Sequence, residues 1–154
     1  MLFRSGVSEK TSVELPKLSE DCTHFELLKF IKEFNEGRQQ LNWTTGEKLQ
    51  TKFRELLTGT HRDNWDVQIN ALRDANSNVN DFVISQDEFF HQLDIFLMEF
   101  FSENDYHNQV KFLRNVKKPP NMSPTRFKQL LDIHNSLLRY FAYAPQDAGD
   151  ISPQ

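Results

Sequence analysis

The sequence predicts an all-α fold of about six helices, and three observations support this prediction. Apolar residues recur every three or four positions in successive stretches, as they do along one face of a helix. Residue types that cap helices precede those stretches, and Gly, Asn or Pro residues follow them. The one short apolar–polar alternation, residues 13–18, is interrupted by Pro16, so it predicts an extended lead-in and no convincing sheet.

The first helix is predicted to begin at a capping box, Thr23–Glu26, in which the hydroxyl and the carboxylate each accept an amide proton from the other end. Leu28, Ile31 and Phe34 then recur at helical spacing. We expect this helix to end near Gly37, because glycine tolerates the left-handed conformation that often closes a helix.

Two further helices are predicted between residues 46 and 75. The first of them follows Trp43–Thr45 and is expected to end at Gly59 for the same reason as at Gly37. The second dissolves into the Asn-rich loop 76–80. Their apolar faces are Leu49, Phe53, Leu56 and Leu57 in one, and Trp65, Ile69 and Leu72 in the other.

Three more helices are predicted in the second half of the chain. A capping box at Ser85–Glu88 starts the fourth, the polar stretch 102–105 ends it, Pro119–Pro120 stops the fifth, and Ser123–Pro124 starts the sixth. Their apolar residues are Phe89, Leu93, Phe96, Leu97 and Phe100 in the fourth, Tyr106, Val110 and Leu113 in the fifth, and Phe127, Leu130, Leu131, His134, Leu137, Leu138 and Phe141 in the sixth.

Composition restricts the classes of function. The formal net charge of −4 argues against a dedicated nucleic-acid-binding protein, which would usually be strongly basic. A single cysteine, Cys22, cannot form a disulfide within the chain and suits a reducing compartment. No apolar run reaches the roughly 18 residues that span a bilayer. We therefore expect no membrane insertion, and a cytoplasmic or nuclear location.

The sequence contains no recognisable catalytic or metal-binding motif. No two histidines are spaced as in a zinc-binding HExxH pair, and Cys22 with His24 supplies too few ligands for a metal. No glycine-rich phosphate loop is present. A pairing of Cys22 with a distant histidine stays open, because nucleophilic catalysis requires proximity in space and not in sequence. We expect no enzyme activity, no cofactor, no metal and no small-molecule substrate.

One segment stands out by its charge, since residues 111–128 contain six basic side chains and no acidic one. Three interpretations remain open: a solvated helix face, contact with an acidic neighbouring subunit, or weak contact with RNA phosphates. Phe127 is assigned to the core by its spacing, whereas Phe112 could stack on a base. The six residues are Lys111, Arg114, Lys117, Lys118, Arg126 and Lys128.

The order of several short motifs resembles the capsid domain of Gag polyproteins from LTR retrotransposons of the gypsy or copia type. A leucine-rich helix, a Gly turn and a helix carrying Trp come first, an aromatic Phe-xxx-Leu-xx-Phe-xxx-Phe helix follows, and a Met-Ser-Pro-x-x-Phe helix start comes last. The resemblance covers about residues 13–143. The matching residues are Leu57, Gly59, Trp65, Phe89, Leu93, Phe96, Phe100, Met122, Pro124 and Phe127.

This resemblance implies a capsid N-terminal lobe of four helices over 13–101 and the first two helices of a C-terminal lobe over 105–143. Residues 1–12 are expected to be a disordered arm or a remnant of expression, and 144–154 a flexible tail. C-terminal lobes of the family usually have about four helices, so the chain is expected to stop within the lobe. The family's zinc knuckle is absent from this sequence.

The resemblance implies a structural protein that associates with copies of itself to build a virus-like particle. The expected contact is the apolar stripe of the sixth helix, which an unfinished lobe leaves short of cover. The alternative is a monomeric helical adaptor that binds a partner helix in an aromatic groove beside Phe89–Phe101. The residues expected to mediate self-association are Leu130, Leu137, Leu138, Tyr140 and Phe141.

Overall fold

The chain folds into two compact units, Met1–Asp94 and Ile95–Gln154. The computed structural model describes residues 14–142, so the predicted arm 1–12 and tail 144–154 lie outside the described residues. Six α-helices and one short 3-10 helix form within 14–142 and no strand does, which confirms the all-α prediction. They are α1 His24–Gln40, α2 Gly46–Leu56, α3 Gly59–Ala75, α4 Gln86–Met98, α5 Glu103–Asn115, α6 Pro124–Leu137 and the 3-10 helix Leu138–Tyr140.

An aromatic cluster around Phe53 forms the centre of the first unit. The Phe53 ring is fully buried, and its centroid lies 4.7 Å from that of Trp65 on α3, 5.3 Å from that of Phe34 on α1 and 6.0 Å from that of Phe89 on α4. All three of these ring pairs meet edge to face, a geometry that aromatic quadrupoles favour. The cluster therefore joins all four helices of this unit at one point.

Three helices begin where local side-chain caps predict. Thr23 and Glu26 exchange both hydrogen bonds of the capping box, the hydroxyl accepting from the Glu26 amide at 3.1 Å and the carboxylate from the Thr23 amide at 2.8 Å. The Thr45 hydroxyl accepts from the Lys48 amide, and the Ser123 hydroxyl accepts from the Arg126 amide. These caps satisfy amide groups that have no partner inside their own helix.

The prediction that α1 ends at Gly37 is wrong. The helix continues through Gly37 to Gln40, and the left-handed conformation occurs later, at Asn42 with a φ of 57°. Gly37 is buried because the side chain of Leu15 packs directly against it, 2.7 Å from where a Cβ would lie. Glycine at this position therefore serves close packing and not helix termination.

Gly59 also has a different role from the one predicted. It is the first residue of α3, with a φ of +54°, while α2 already ends at Leu56. The Glu20 carboxylate accepts hydrogen bonds from the amide and the hydroxyl of Thr60 at this helix start. Glu20, 40 positions before Thr60 in sequence, therefore caps the start of α3. The same hydrogen bonds lower the pKa of the Glu20 carboxylate.

Glu47 links three elements of the first unit. Its carboxylate accepts from both terminal nitrogens of Arg73 on α3, at 3.0 and 2.8 Å, and from the Ile84 amide ahead of α4 at 2.9 Å. The hydrogen bonds from Arg73 are the main cause of a lowered pKa for Glu47. A forked pair of this kind restricts geometry more than a single contact does.

In the second unit, α5 packs against α6 and the 3-10 helix. Tyr106 and Val110 on α5 and Leu138 are buried together, and Phe141 packs against them. The boundary between the units falls inside α4, between Asp94 and Ile95, and not at the polar break 102–105 where the lobes were expected to meet. The ring of Phe101 packs at a tilt against that of Phe141, with centroids 4.9 Å apart, so the end of that aromatic stretch belongs to the second unit.

Replacing Gly46 with Ala should destabilise the first unit strongly. A Cβ there would lie 2.1 Å from the Ser85 carbonyl oxygen and 2.3 Å from that of Ile84, so backbone would have to move. We expect a loss of about 3 kcal/mol in the free energy of urea unfolding. Gly37→Ala is the matched control, because the Leu15 methyl groups it meets can rotate away; it should stay within about 1 kcal/mol of the wild type. Equal losses would contradict this account.

Replacing Glu47 with Gln should reduce stability at neutral pH by about 1 kcal/mol, a modest loss because both partners are partly exposed to solvent. The lowered pKa means that the carboxylate stabilises the fold above its unfolded pKa and loses this effect as pH falls through the folded value. The difference between variant and wild type in urea unfolding should therefore shrink from pH 7 to pH 3. Glu55→Gln, at an exposed and longer ion pair, should have little effect at either pH.

Candidate functional site

The apolar stripe of α6 is only partly available to a partner. Leu137 is 3% exposed and Leu138 is fully buried, so the prediction that these two side chains mediate self-association is wrong. They are covered within the chain, and Leu138 packs with Tyr106 and Val110 of α5. The other three candidates, Leu130, Tyr140 and Phe141, are half-buried.

A second face of α6 remains apolar and open to solvent. Ile133 is 45% exposed, and Leu130, on the adjacent turn, is half-buried. Residues three apart are neighbours on a helix surface, so these two side chains form one continuous patch. Sequence reasoning missed Ile133 because it lies between Asp132 and His134, outside the predicted stripe. We call Leu130 and Ile133 the α6 patch.

The residues that carry the resemblance to Gag capsid domains are mostly structural. Trp65 is fully buried, and its indole nitrogen donates to the Gln50 side chain at 3.2 Å. Exposed Gly59 and Pro124 begin helices, as described for α3 and α6. The motif residues therefore form helix starts and packing contacts. Leu57, Phe89, Leu93 and Phe96 are buried as well, and Phe100, Met122 and Phe127 are half-buried.

The six basic side chains of residues 111–128 are all exposed. Within the described part of the chain, Lys128 is the one member that forms an ion pair, with Asp132 at 2.8 Å. The Lys118 ammonium donates to the carbonyl oxygens of Pro119 and Met122 and so supports the turn ahead of α6. The remaining four cations extend from α5 through this turn to the start of α6 without a carboxylate at ion-pair distance.

The fold brings Cys22 next to a histidine that lies 39 positions away in sequence. Its sulfur is 4.0 Å from Nε2 of His61, and the imidazole is buried. Removal from water raises the pKa of the Cys22 thiol, and the negative charge of Glu26 raises it further. A raised pKa keeps sulfur in the thiol form, whereas a nucleophilic cysteine requires the thiolate. Cys22 and His61 therefore lie at the distance of a Cys/His pair, but their surroundings favour the thiol and not the thiolate that a nucleophile requires.

Cys22 also lines a surface cleft of about 200 Å³ beside α1. The cleft carries both charges, because two lysines, Lys17 and Lys29, and two glutamates, Glu26 and Glu33, line it together with apolar residues such as Phe30. Because the two cations only balance the two carboxylates, the cleft supplies no net positive charge that would favour an anionic sulfur.

The described residues, 14–142, contain no group of three His, Cys, Asp or Glu side chains that could hold a metal ion. In the same part of the chain no helix combines the length and apolarity required to cross a bilayer. No protein-family model, curated protein or solved structure matches the chain. The likeness to Gag capsid domains therefore depends on the motifs of this chain alone.

The Cys22 thiol should react slowly in the folded protein. At pH 8 its reaction with a disulfide reagent such as DTNB should be slower than in the same chain unfolded in urea, because burial raises the thiol pKa and limits access. As the chain has one cysteine, the absorbance change reports on Cys22 alone. A folded rate above the unfolded rate would indicate an activated thiolate and would reopen the possibility of a nucleophilic role.

Proposed function

We propose that the chain is a Gag-like capsid protein of LTR-retrotransposon type, which associates with copies of itself through helical lobes to build a virus-like particle. Two features support this proposal: the ordered motifs described above, and two helical units that each have their own core. The observation that carries it is the α6 patch. Leu137 is the one buried residue of this 14-residue helix, so the apolar side chains of the patch keep surface that a second copy can cover.

The α6 patch has the character expected of a weak, repeated interface. Ile133 is apolar and 45% exposed, and Leu130 beside it still has surface to bury. Removing apolar surface from water stabilises a contact by roughly 25 cal/mol per Å². A patch of two side chains yields a modest affinity for one pair of copies. Many such contacts acting together, as in a shell, produce a stable assembly.

The adaptor alternative receives less support from the same structure. It requires rings of the fourth helix to line an open groove, yet Phe89 is fully buried and Phe96 and Phe101 are each 2% exposed. The cleft described above lies beside α1 and not beside α4. We therefore favour another copy of the chain as the partner, with a cytoplasmic or nuclear particle as the location.

Replacing Ile133 with Glu should weaken self-association without unfolding the protein. The side chain is already exposed in the monomer, so a charge costs little there, whereas the same charge buried between two copies is strongly unfavourable. Sedimentation velocity should show a concentration-dependent increase in mass for the wild type. The variant should need at least about tenfold more protein to reach the same state, corresponding to roughly 1.4 kcal/mol.

Val67→Glu is the matched control, since Val67 is 69% exposed on α3 and receives the same change in charge. It should associate like the wild type. A wild-type chain that stays monomeric at high micromolar concentration, or equal losses in both variants, would argue against the α6 patch. Negative-stain microscopy at low and high salt then distinguishes shells or tubes from small oligomers.

A further inference from the structure

The solvent side of α5 has a composition unlike that of the other helices. Its exposed residues are amides, cations, an imidazole and one aromatic ring. The one exposed carboxylate of the helix, Glu103, lies at its first residue. Phe112 is 56% exposed although its neighbours Tyr106 and Val110 are buried in the core. The surface, which we call the α5 face, consists of Asn104, His107, Asn108, Lys111, Phe112 and Arg114.

Within residues 14–142, the cations of the α5 face have no ionic partner, whereas four cations of the first unit do. In the first unit, Lys32, Lys52, Arg54 and Arg73 each pair with a carboxylate at 2.6 to 3.6 Å. Lys111 and Arg114 have no such partner among the described residues, and neither has Lys117 just beyond the helix. No Asp or Glu occurs between Asp105 and Asp132 in sequence.

We propose that the α5 face, together with Lys117 just beyond the helix, is a binding site for a single strand of nucleic acid, with phosphates on Lys111, Arg114 and Lys117 and a base stacked on Phe112. Surfaces that hold single strands combine cations along the backbone with aromatic rings that stack on bases. The Asn104 and Asn108 side chains add donors and acceptors that suit base edges and sugars. The other ligand considered for this surface, an acidic protein, explains the cations but leaves the exposed ring and the amides without a role.

The site is local, which reconciles it with the negative net charge of the chain. Charge beyond about 10 Å is largely screened at 0.1 M salt, so nearby cations dominate what a phosphate at α5 experiences. Lys128 is set apart from the site because Asp132 already pairs with it. This inference does not depend on whether the chain assembles, since the α5 face and the α6 patch share no residue.

The test is fluorescence anisotropy of labelled 12-nucleotide strands, oligo-uridine and oligo-thymidine, with a 12-base-pair duplex for comparison, between 50 and 200 mM salt. The wild type should bind both single strands more tightly than the duplex. Preference for oligo-uridine would assign the site to RNA, and equal binding to single strands in general; both results support the proposal. No change in anisotropy at 50 mM salt and about 100 μM protein would overturn it.

Two sets of variants separate the cations from the ring. Lys111→Gln combined with Arg114→Gln should lower the slope of log affinity against log salt by about 1.4, because each phosphate neutralised on a single strand contributes about 0.7. Phe112→Leu should weaken binding about tenfold and leave the salt slope unchanged, and Phe112→Trp should preserve binding. All of these side chains are exposed, so the fold should not be affected.

Lys29→Gln combined with Lys48→Gln removes two exposed charges from the first unit and serves as the control. It should change neither affinity nor slope. An equal loss in the control, or an unaffected Phe112→Leu, would reduce the binding to general electrostatic attraction and overturn the site. If strands fail to bind while Lys111→Gln with Arg114→Gln abolishes self-association in sedimentation, the cations contact a second copy and the proposal is wrong.

Discussion

The packing of one phenylalanine ring holds the first unit together. Phe53 contacts Phe30 and Phe34 of α1, Trp65 of α3 and Phe89 of α4, so a single side chain of α2 meets every other helix of the unit. Interiors are packed as densely as organic crystals, and a ring with four ring neighbours cannot shift without moving all of them. Contacts at the start of α2 hold this ring in position. Gly46 packs against the backbone of Ile84 and Ser85, and Glu47 bonds to Arg73 and to the Ile84 amide.

Features that depend on neighbouring residues could be predicted from sequence, and those that depend on distant residues could not. The caps predicted at Thr23 and Ser123 are local hydrogen bonds, and the structure confirms them. The end of α1 is different, because Leu15 approaches Gly37 from 22 positions upstream and requires the helix to continue without a side chain there. Glycine can end a helix or allow a neighbouring side chain to pack closely against it, and the local sequence does not distinguish these two roles.

The burial of individual side chains was the second feature that could not be predicted from sequence. Periodicity indicates that α6 is apolar along one side but not which of its residues α5 covers, so Leu137 and Leu138 were mistaken for partner-facing residues and Ile133 was missed. The approach of Cys22 to His61 was likewise invisible in sequence. The basic segment is evident in the sequence, whereas the lack of ionic partners for Lys111 and Arg114 among the described residues and the exposure of Phe112 depend on how the chain folds.

The ion pairs of Arg54 and Arg73 in the first unit and the cations Lys111, Arg114 and Lys117 in the second, unpaired within the described part of the chain, should respond to added salt in opposite ways. Counter-ions weaken attraction between opposite charges and repulsion between like charges alike. Added electrolyte therefore weakens the ion pairs of Arg54 and Arg73 slightly, and it also weakens the repulsion among the basic side chains that follow Asp105. A change in ionic strength therefore acts on the electrostatics of the two units in opposite directions.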